Sequence, residues 1–425
     1  MTQQSEYAVV VKSGILDAIV TVPGSKSIAN RALICAALAH SASTIRGLPD
    51  GDDTQAMLQS LQVLGATLSL EKSDARIETA IDLDRSDPVS VDANLAGTTA
   101  RFLTAIGALR RGPMTVTGNE SLRSRPMKDL HIALSEIGVN LSWEDNKYCL
   151  PVTVSRSESY AHSIQIASDT SSQFVSALML IAPMLDYGLK IELVGNVISL
   201  PYITMSASVM RAFGANVRFV DERNIAIDGG GYVGCEFAVE PDASSASYPL
   251  AAAAVIGGRL RVNGLRSNMM QGDSRFVDVL RQMGCEISED QSGVTLSRNP
   301  SELLRGVDVD MSDISDLVPT LAVVAMFAST PTRIRSVGFI RNKESDRIGD
   351  LANEMRKLGA NVNEHRDGLE ITPQSLHAGR CDTHHDHRLA MAFGVAGLSQ
   401  PGVIIDQPQV VSKSWPDFWQ MLEAL

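Results

Sequence analysis

The sequence predicts an α/β protein of two lobes, each built from three repeated strand–helix units. Three observations carry that prediction. Helices that end in glycine recur at near-constant spacing, and a second, wholly apolar set of helices recurs in the same period. A chain of 425 residues is also long for one core, because domains typically run about 100–200 residues.

The glycine-terminated segments are residues 58–70, 130–143, 205–220, 276–289 and 351–364. Each reads as an amphipathic helix, then glycine, then an alternating strand. Their glycines, Gly65, Gly138, Gly214, Gly284 and Gly359, stand 73, 76, 70 and 75 residues apart. Glycine just past a helix provides the left-handed cap, so these positions mark helix ends. The second series covers 26–39, 97–109, 171–184, 244–256, 316–328 and 386–398. It is rich in Ala, Leu, Val and Met on every side, as buried helices are. Six helices of one kind and five of the other imply six units of about 70 residues. The sixth amphipathic helix falls at 418–424, where its strand is missing, and residues 7–12 are expected to supply that strand from the N-terminal end.

Units that hold one buried and one exposed helix suit lobes with sheet outside and helices within. Three units per lobe put the boundary near Glu240-Pro241-Asp242. Residues 23–241 form one lobe in this reading, and 1–22 with 242–425 form the other. The chain then crosses twice between lobes, which predicts a two-strand hinge and an interdomain cleft.

Composition narrows the function. Hydrophobic residues at 44% and charged residues at 20% indicate a soluble globular chain. The balance of 37 basic against 49 acidic residues, net −12, argues against a nucleic-acid binder. The longest near-apolar stretch, 317–328, is far short of the roughly 18 residues that suggest a membrane span. No export segment is visible, and five scattered cysteines without C-x-x-C read as thiols of a reducing cytoplasm.

The apolar helices begin with small polar residues: Ser25-Lys26-Ser27, Ala96-Gly97-Thr98, Ser171-Ser172-Gln173, Ser244-Ser245, Ser315-Asp316 and Asp386-His387-Arg388. Helix N-termini bind anions through free N–H groups and a partial positive charge, although any one such residue is more often a cap. Basic residues recur beside them, among them Lys26, Arg31, Arg101, Arg125, Lys343, Arg347, Arg388 and Lys413. In an acidic chain that pattern indicates a local anion site. Gly24-Ser25-Lys26-Ser27 lacks the spacing of a phosphate loop, the 308–313 stretch lacks a calcium loop's glycine, and His384-His385-Asp386-His387 has no matching second ligand group for a metal.

These residues carry a resemblance. Pro23-Gly24-Ser25-Lys26-Ser27-Ile28-Ala29-Asn30-Arg31, Ala96-Gly97-Thr98, Arg125-Pro126, Ser171-Ser172-Gln173, Lys343-Glu344-Ser345-Asp346-Arg347 and Asp386-His387-Arg388 are similar to motifs of the EPSP synthase family. The likeness runs from Pro23 to Lys413-Ser414-Trp415-Pro416-Asp417. It implies two lobes of three βαβαββ units, an inside-out α/β barrel with helix N-termini facing the interdomain cleft. It implies transfer of the enolpyruvyl group of phosphoenolpyruvate to the 5-hydroxyl of shikimate 3-phosphate, with phosphate released and no metal or organic cofactor. A cytoplasmic monomer acting on small molecules, and inhibition by glyphosate, are implied with it. Shikimate 3-phosphate is expected to meet Lys26, Ser27, Arg31, Ser171, Ser172, Gln173, Ser199, Tyr202, Asp316 and Lys343. Phosphoenolpyruvate is expected to meet Lys26, Gly97, Arg125, Gln173, Arg347, Arg388 and Lys413. Asp316 is the implied base, and Glu344 with Lys26 the implied proton donors.

The chain departs from the family pattern at Leu95, where Asn is frequent, at Phe102, where Pro is frequent, and at Phe339, where some members carry a substrate-binding Asn. Ser121 replaces an arginine, which leaves that contact to Arg123 or Arg125, with Arg125 preferred. Two other functions compete. One is enolpyruvyl transfer to UDP-N-acetylglucosamine, whose loop cysteine has no evident counterpart, since Cys149 reads as part of a strand. The other is non-catalytic anion binding, which would not need both carboxylates.

Overall fold

The computed structural model describes residues 6–425, so residues 1–5 of the expected 1–22 segment lie outside the described residues. The chain forms two compact units. Gly24–Val239 makes one, and residues up to Pro23 together with Glu240–Leu425 make the other. Each unit holds three sheets, and five of the six sheets have four strands.

The second repeat shows the plan. Strand Val89–Asp92, helix Gly97–Gly107, strand Met114–Thr117, helix Lys128–Glu136 and strands Asn140–Trp143 and Val152–Ser155 follow in order. The first two strands pair in parallel, as a crossover helix requires, and the last two form an antiparallel hairpin. In the sheet the strands lie in the order first, second, fourth, third; four other repeats keep this order, and the three-stranded sixth keeps it without the third strand.

Two repeats borrow their first strand. The first repeat takes Glu236–Ala238, parallel to Ser43–Arg46, from the far end of the same unit. The fourth takes Leu16–Val20, parallel to Gly258–Asn263, from the N-terminal segment. The sixth repeat ends at helix Phe418–Ala424, and Glu6–Ala8 fills its fourth-strand place, antiparallel to Val403–Asp406. The expected strand at 7–12 is therefore found, shorter and shifted toward the N-terminus.

Composition decides which helices are enclosed. Helix Val318–Ala325 is buried at all eight positions, and Ala243–Ile256 at thirteen of fourteen. Helix Gly349–Lys357, by contrast, buries Leu351, Ala352, Glu354 and Met355 and turns its other face to water. All five helix-terminating glycines have positive φ, from 84° at Gly214 to 105° at Gly284. That is the left-handed backbone that a side chain disfavours.

Candidate active site

In the unit Gly24–Val239, short polar bridges tie the helix starts together. Ser25 caps helix Lys26–Leu38 by accepting from Ile28 N. The Lys26 ammonium meets Asp53 Oδ2 at 2.8 Å, and the Asp53 carbonyl accepts from Thr99 Oγ1 at 3.3 Å. One acidic residue thus joins the first buried helix to the second. Ser171 caps helix Ser172–Ile181 by accepting from Gln173 N, and the Gln173 side chain accepts from Arg101 Nη1. Arg101 is further pinned 5.3 Å above the Phe174 ring.

Gly97 opens its helix with no side chain in the way. A methyl group placed there would lie 3.2 Å from Arg101 Nη1 and 3.5 Å from Arg125 Nη1. Arg123 is occupied elsewhere, donating to the Gly118 carbonyl and to Thr117 Oγ1. Arg125 is therefore the arginine of its segment that stands at the Gly97 helix start. Ser199 precedes helix Leu200–Ala212 in the left-handed conformation, φ 52°, and Tyr202 is buried in its first turn.

Arg31 sits deeper than an anion ligand needs to. It is 1% exposed and donates to Ser206 Oγ at 2.7 Å, Ser27 O at 2.8 Å, Ser176 Oγ at 3.1 Å and Tyr202 O at 3.4 Å. Burial pushes its pKa down to about 10. In this structure Arg31 fastens the first and third repeats together.

The second unit gathers a denser cluster. Arg347, with a side chain 2% exposed, donates to three carboxylates. They are Asp386 at 2.7 and 3.2 Å, Asp316 at 3.0 Å and Glu344 at 2.9 Å. Arg388 donates to the other Asp316 oxygen at 2.7 Å, and Lys343 Nζ is 4.0 Å from the first. Lys413, in the turn Pro408–Lys413, lies 3.7 Å from Glu344 Oε1. Asp386 also caps helix His387–Gly397 through Arg388 N and accepts from Ser345 Oγ at 3.1 Å. Burial alone would raise the Asp316 pKa. Arg388, then Lys343 and Arg347, outweigh burial and the nearby Glu344 charge, and hold it well below the ordinary carboxylate range. Burial acts on Arg347 too, but Asp386, Glu344 and Asp316 hold its pKa above the usual arginine value.

Beside this cluster, Asp273 is buried, accepting from Ser244 Oγ at 2.5 Å and Gln271 Nε2 at 2.9 Å. Burial, reinforced by the Asp316 charge, pushes it up to about 6, against the pull of Ser244, Arg388 and Gln271.

Several contributors escaped the sequence reading. Asp53 and Asp386 were given no role, although each holds an expected ligand; Arg101, expected only as one of the cations at the helix starts, stands beside Gln173 and Gly97. Spacing gives no sign of which carboxylate closes on which cation. One expectation needs correction. Cys149 lies in a turn, its N–H donating to Asn146 O, and the strand starts only at Val152, past Pro151. Proline has no N–H for the ladder, which delays the pairing.

Six repeated α/β units, with cations and carboxylates gathered at helix starts, define a repeat α/β protein. A sequence profile of EPSP synthase (3-phosphoshikimate 1-carboxyvinyltransferase) matches residues 10–422, and the chain belongs to that family. It is 39% identical over 410 residues to the 3-phosphoshikimate 1-carboxyvinyltransferase of Trichormus variabilis, covering 95% of each chain. The enzyme of that name from Nostoc punctiforme is 41% identical over 420 residues, 96% of this chain and 97% of that one. EPSP synthase from Acinetobacter baumannii shares the fold, with a TM-score of 0.82 at 23% identity over 99% of this chain and 98% of that one.

Proposed function

We propose that the chain transfers the enolpyruvyl group of phosphoenolpyruvate to the 5-hydroxyl of shikimate 3-phosphate, releasing phosphate, as a cytoplasmic monomer without metal or organic cofactor. Beyond family membership, one observation carries this reading. Asp316 and Glu344 are both held on the buried Arg347, with Arg388, Lys343 and Lys413 around them. Four cations face three carboxylates there (Asp316, Glu344 and Asp386), with Asp273 beside them, so an anionic substrate binds by competing for cations that already hold carboxylates.

The reaction sets two proton tasks. The 5-oxygen bonds to C2 of phosphoenolpyruvate and gives up its proton, while the methylene carbon gains one. Phosphate then leaves with the electron pair of its C–O bond. The methyl group returns a proton, which restores the double bond. Asp316 takes the hydroxyl proton, and Glu344 and Lys26 handle the proton on carbon. A positioned acid or base is worth roughly 10²–10⁴ in rate.

With its pKa held low by Arg388, Lys343 and Arg347 against the effect of burial, Asp316 is by itself a weak base. An incoming carboxylate or phosphate competes for Arg388, and losing that partner raises the basicity of Asp316 when the hydroxyl arrives. Phosphoenolpyruvate is assigned to Lys26, Gly97, Arg125, Gln173, Arg347, Arg388 and Lys413, and shikimate 3-phosphate to Lys26, Ser27, Ser171, Ser172, Gln173, Ser199, Tyr202, Asp316 and Lys343. Arg31 supports two of the latter, donating to Ser27 O and Tyr202 O. A phosphate-release assay with phosphoenolpyruvate tests the reading. Release is expected with shikimate 3-phosphate and not with UDP-N-acetylglucosamine, and the opposite preference overturns it. Light scattering on the eluting protein tests the monomer.

A further inference from the structure

The turn that delivers Asp386 and Arg388 is backbone-strained and is held by a group outside the cluster described above. His384 and His385 have φ of 49° and 57°, two successive non-glycine residues in the left-handed region. Such a pair persists only where the surroundings hold it. The holder is Glu354 on helix Gly349–Lys357, which is 1% exposed. Its Oε2 accepts from Asp382 N at 2.9 Å, and its Oε1 accepts from His384 Nε2 at 2.8 Å. Lys357 Nζ donates to both oxygens at 2.8 and 2.7 Å. One helical turn earlier on the same face, Asp350 Oδ1 stands 3.7 Å from His384 Nδ1. Inside the turn, His384 N donates to Asp382 Oδ1 at 2.8 Å.

We propose that Glu354, acting through His384, is a positioning residue that fixes the 382–385 turn and thereby sets where the Arg388 guanidinium lies. The segment of residues 382–388 is fastened to one stretch of chain at two points. Arg347, just ahead of helix Gly349–Lys357, grips Asp386, and Glu354, inside that helix, grips Asp382 and His384. One grip alone would let the turn pivot about Asp386; two remove that freedom. A buried carboxylate whose partner Lys357 is half-exposed is a costly way to close a turn, because apolar packing is often as stable. Its cost is accounted for if the turn must stay in one place. This inference rests on the assignment of Arg388 to phosphoenolpyruvate.

Four variants test it: Glu354→Gln, His384→Asn, His384→Val and Arg388→Lys. For each, kcat, both KM values and Tm are measured. Misplacing a binding group by even 1 Å is costly, so Glu354→Gln should raise KM for phosphoenolpyruvate about tenfold while KM for shikimate 3-phosphate moves less than about threefold. His384→Asn tolerates the left-handed backbone but is too short to carry the Nε2 bond to Glu354, so it should raise the phosphoenolpyruvate KM nearly as far as Glu354→Gln does. His384→Val cannot hold that backbone comfortably and should resemble Glu354→Gln. If Glu354→Gln does not fold, His384→Asn decides the matter, because it keeps the turn's backbone and lacks the contact: a phosphoenolpyruvate KM equal to wild type overturns the clasp. A lowered Tm with both KM values unchanged, or an equal rise in both, overturns the positioning role. If Arg388→Lys leaves the phosphoenolpyruvate KM unchanged, the underlying assignment fails instead. A rise for Arg388→Lys without one for Glu354→Gln rejects the clasp alone.

Discussion

Substituting alanine at Gly97 tests the anion site at its tightest point. The added methyl would sit 3.2 Å from Arg101 Nη1 and 3.5 Å from Arg125 Nη1. The first contact is closer than ordinary packing, so Arg101 must yield by a few tenths of an ångström. It is not free to do so at no cost, because it donates to Gln173 and stacks on Phe174. A hydrogen bond to a charged group contributes about 1.5–3 kcal/mol. Forfeiting the lower part of that range for an anion lodged at this helix start weakens binding roughly tenfold. The helix itself gains from alanine, by at most about 1 kcal/mol. Affinity and stability therefore move in opposite directions. The expected result for Gly97→Ala is a KM for phosphoenolpyruvate raised about tenfold at unchanged or higher Tm. Inhibition by glyphosate, a longer occupant of the same pocket, should weaken further. Steady-state kinetics with both ligands, beside a thermal melt, decide it. Equal, small changes for the two ligands would refute the reasoning and leave Gly97 a packing residue.

Asp316→Asn and Glu344→Gln should each cut turnover at least about 10²-fold while shikimate 3-phosphate still binds by calorimetry; near-full turnover in either removes that residue from proton transfer. Asp316 has a folded pKa below its unfolded value, so its stabilisation is present above about pH 4 and is lost as pH falls through the folded value. Asp273 has the opposite sign, raised to about 6, so it favours the folded state less as pH rises from about 4 to 6. Denaturant titrations across that window should show a downward slope from this residue that flattens in Asp273→Asn; an identical slope would exclude it. Arg31→Lys keeps the charge but loses the fork that reaches Ser206, Ser176 and two carbonyls. Each acceptor abandoned costs about 1–3 kcal/mol, so Tm should fall by several degrees without ligand, and an unchanged Tm would make Arg31 a ligand only.

The glycines and the apolar helices were legible because each reports a local condition. Gly65 and Gly359 need a positive φ wherever the rest of the chain goes, and Val318–Ala325 has no polar face to show to water. The N-terminal strand was legible by counting, since the sixth repeat lacked a partner for Val403–Asp406. The strands contributed by Glu236–Ala238 and Leu16–Val20 were not, because a three-residue and a five-residue segment carry little periodicity and their partners lie far along the chain. The same distance hid Asp53, which lies 27 residues from Lys26, and Asp386, which lies 39 from Arg347. A motif names the cation; only the fold names its counter-ion.

The borrowed strands also dictate an order of events during synthesis. Residues 24–239 complete their own three sheets, Glu236–Ala238 arriving last to close the first of them. Leu16–Val20 emerges before all of this and has no partner until Gly258–Asn263 appears, while Glu6–Ala8 must wait for Val403–Asp406. At about 5–20 residues per second, translation of the chain takes roughly 20–85 s. For much of that time the leading strands hang unpaired, exposing Leu16 and Val20, which the finished fold buries. Of the described residues, Glu6–Ala8 is made among the first and, paired with Val403–Asp406, takes its place in a sheet among the last.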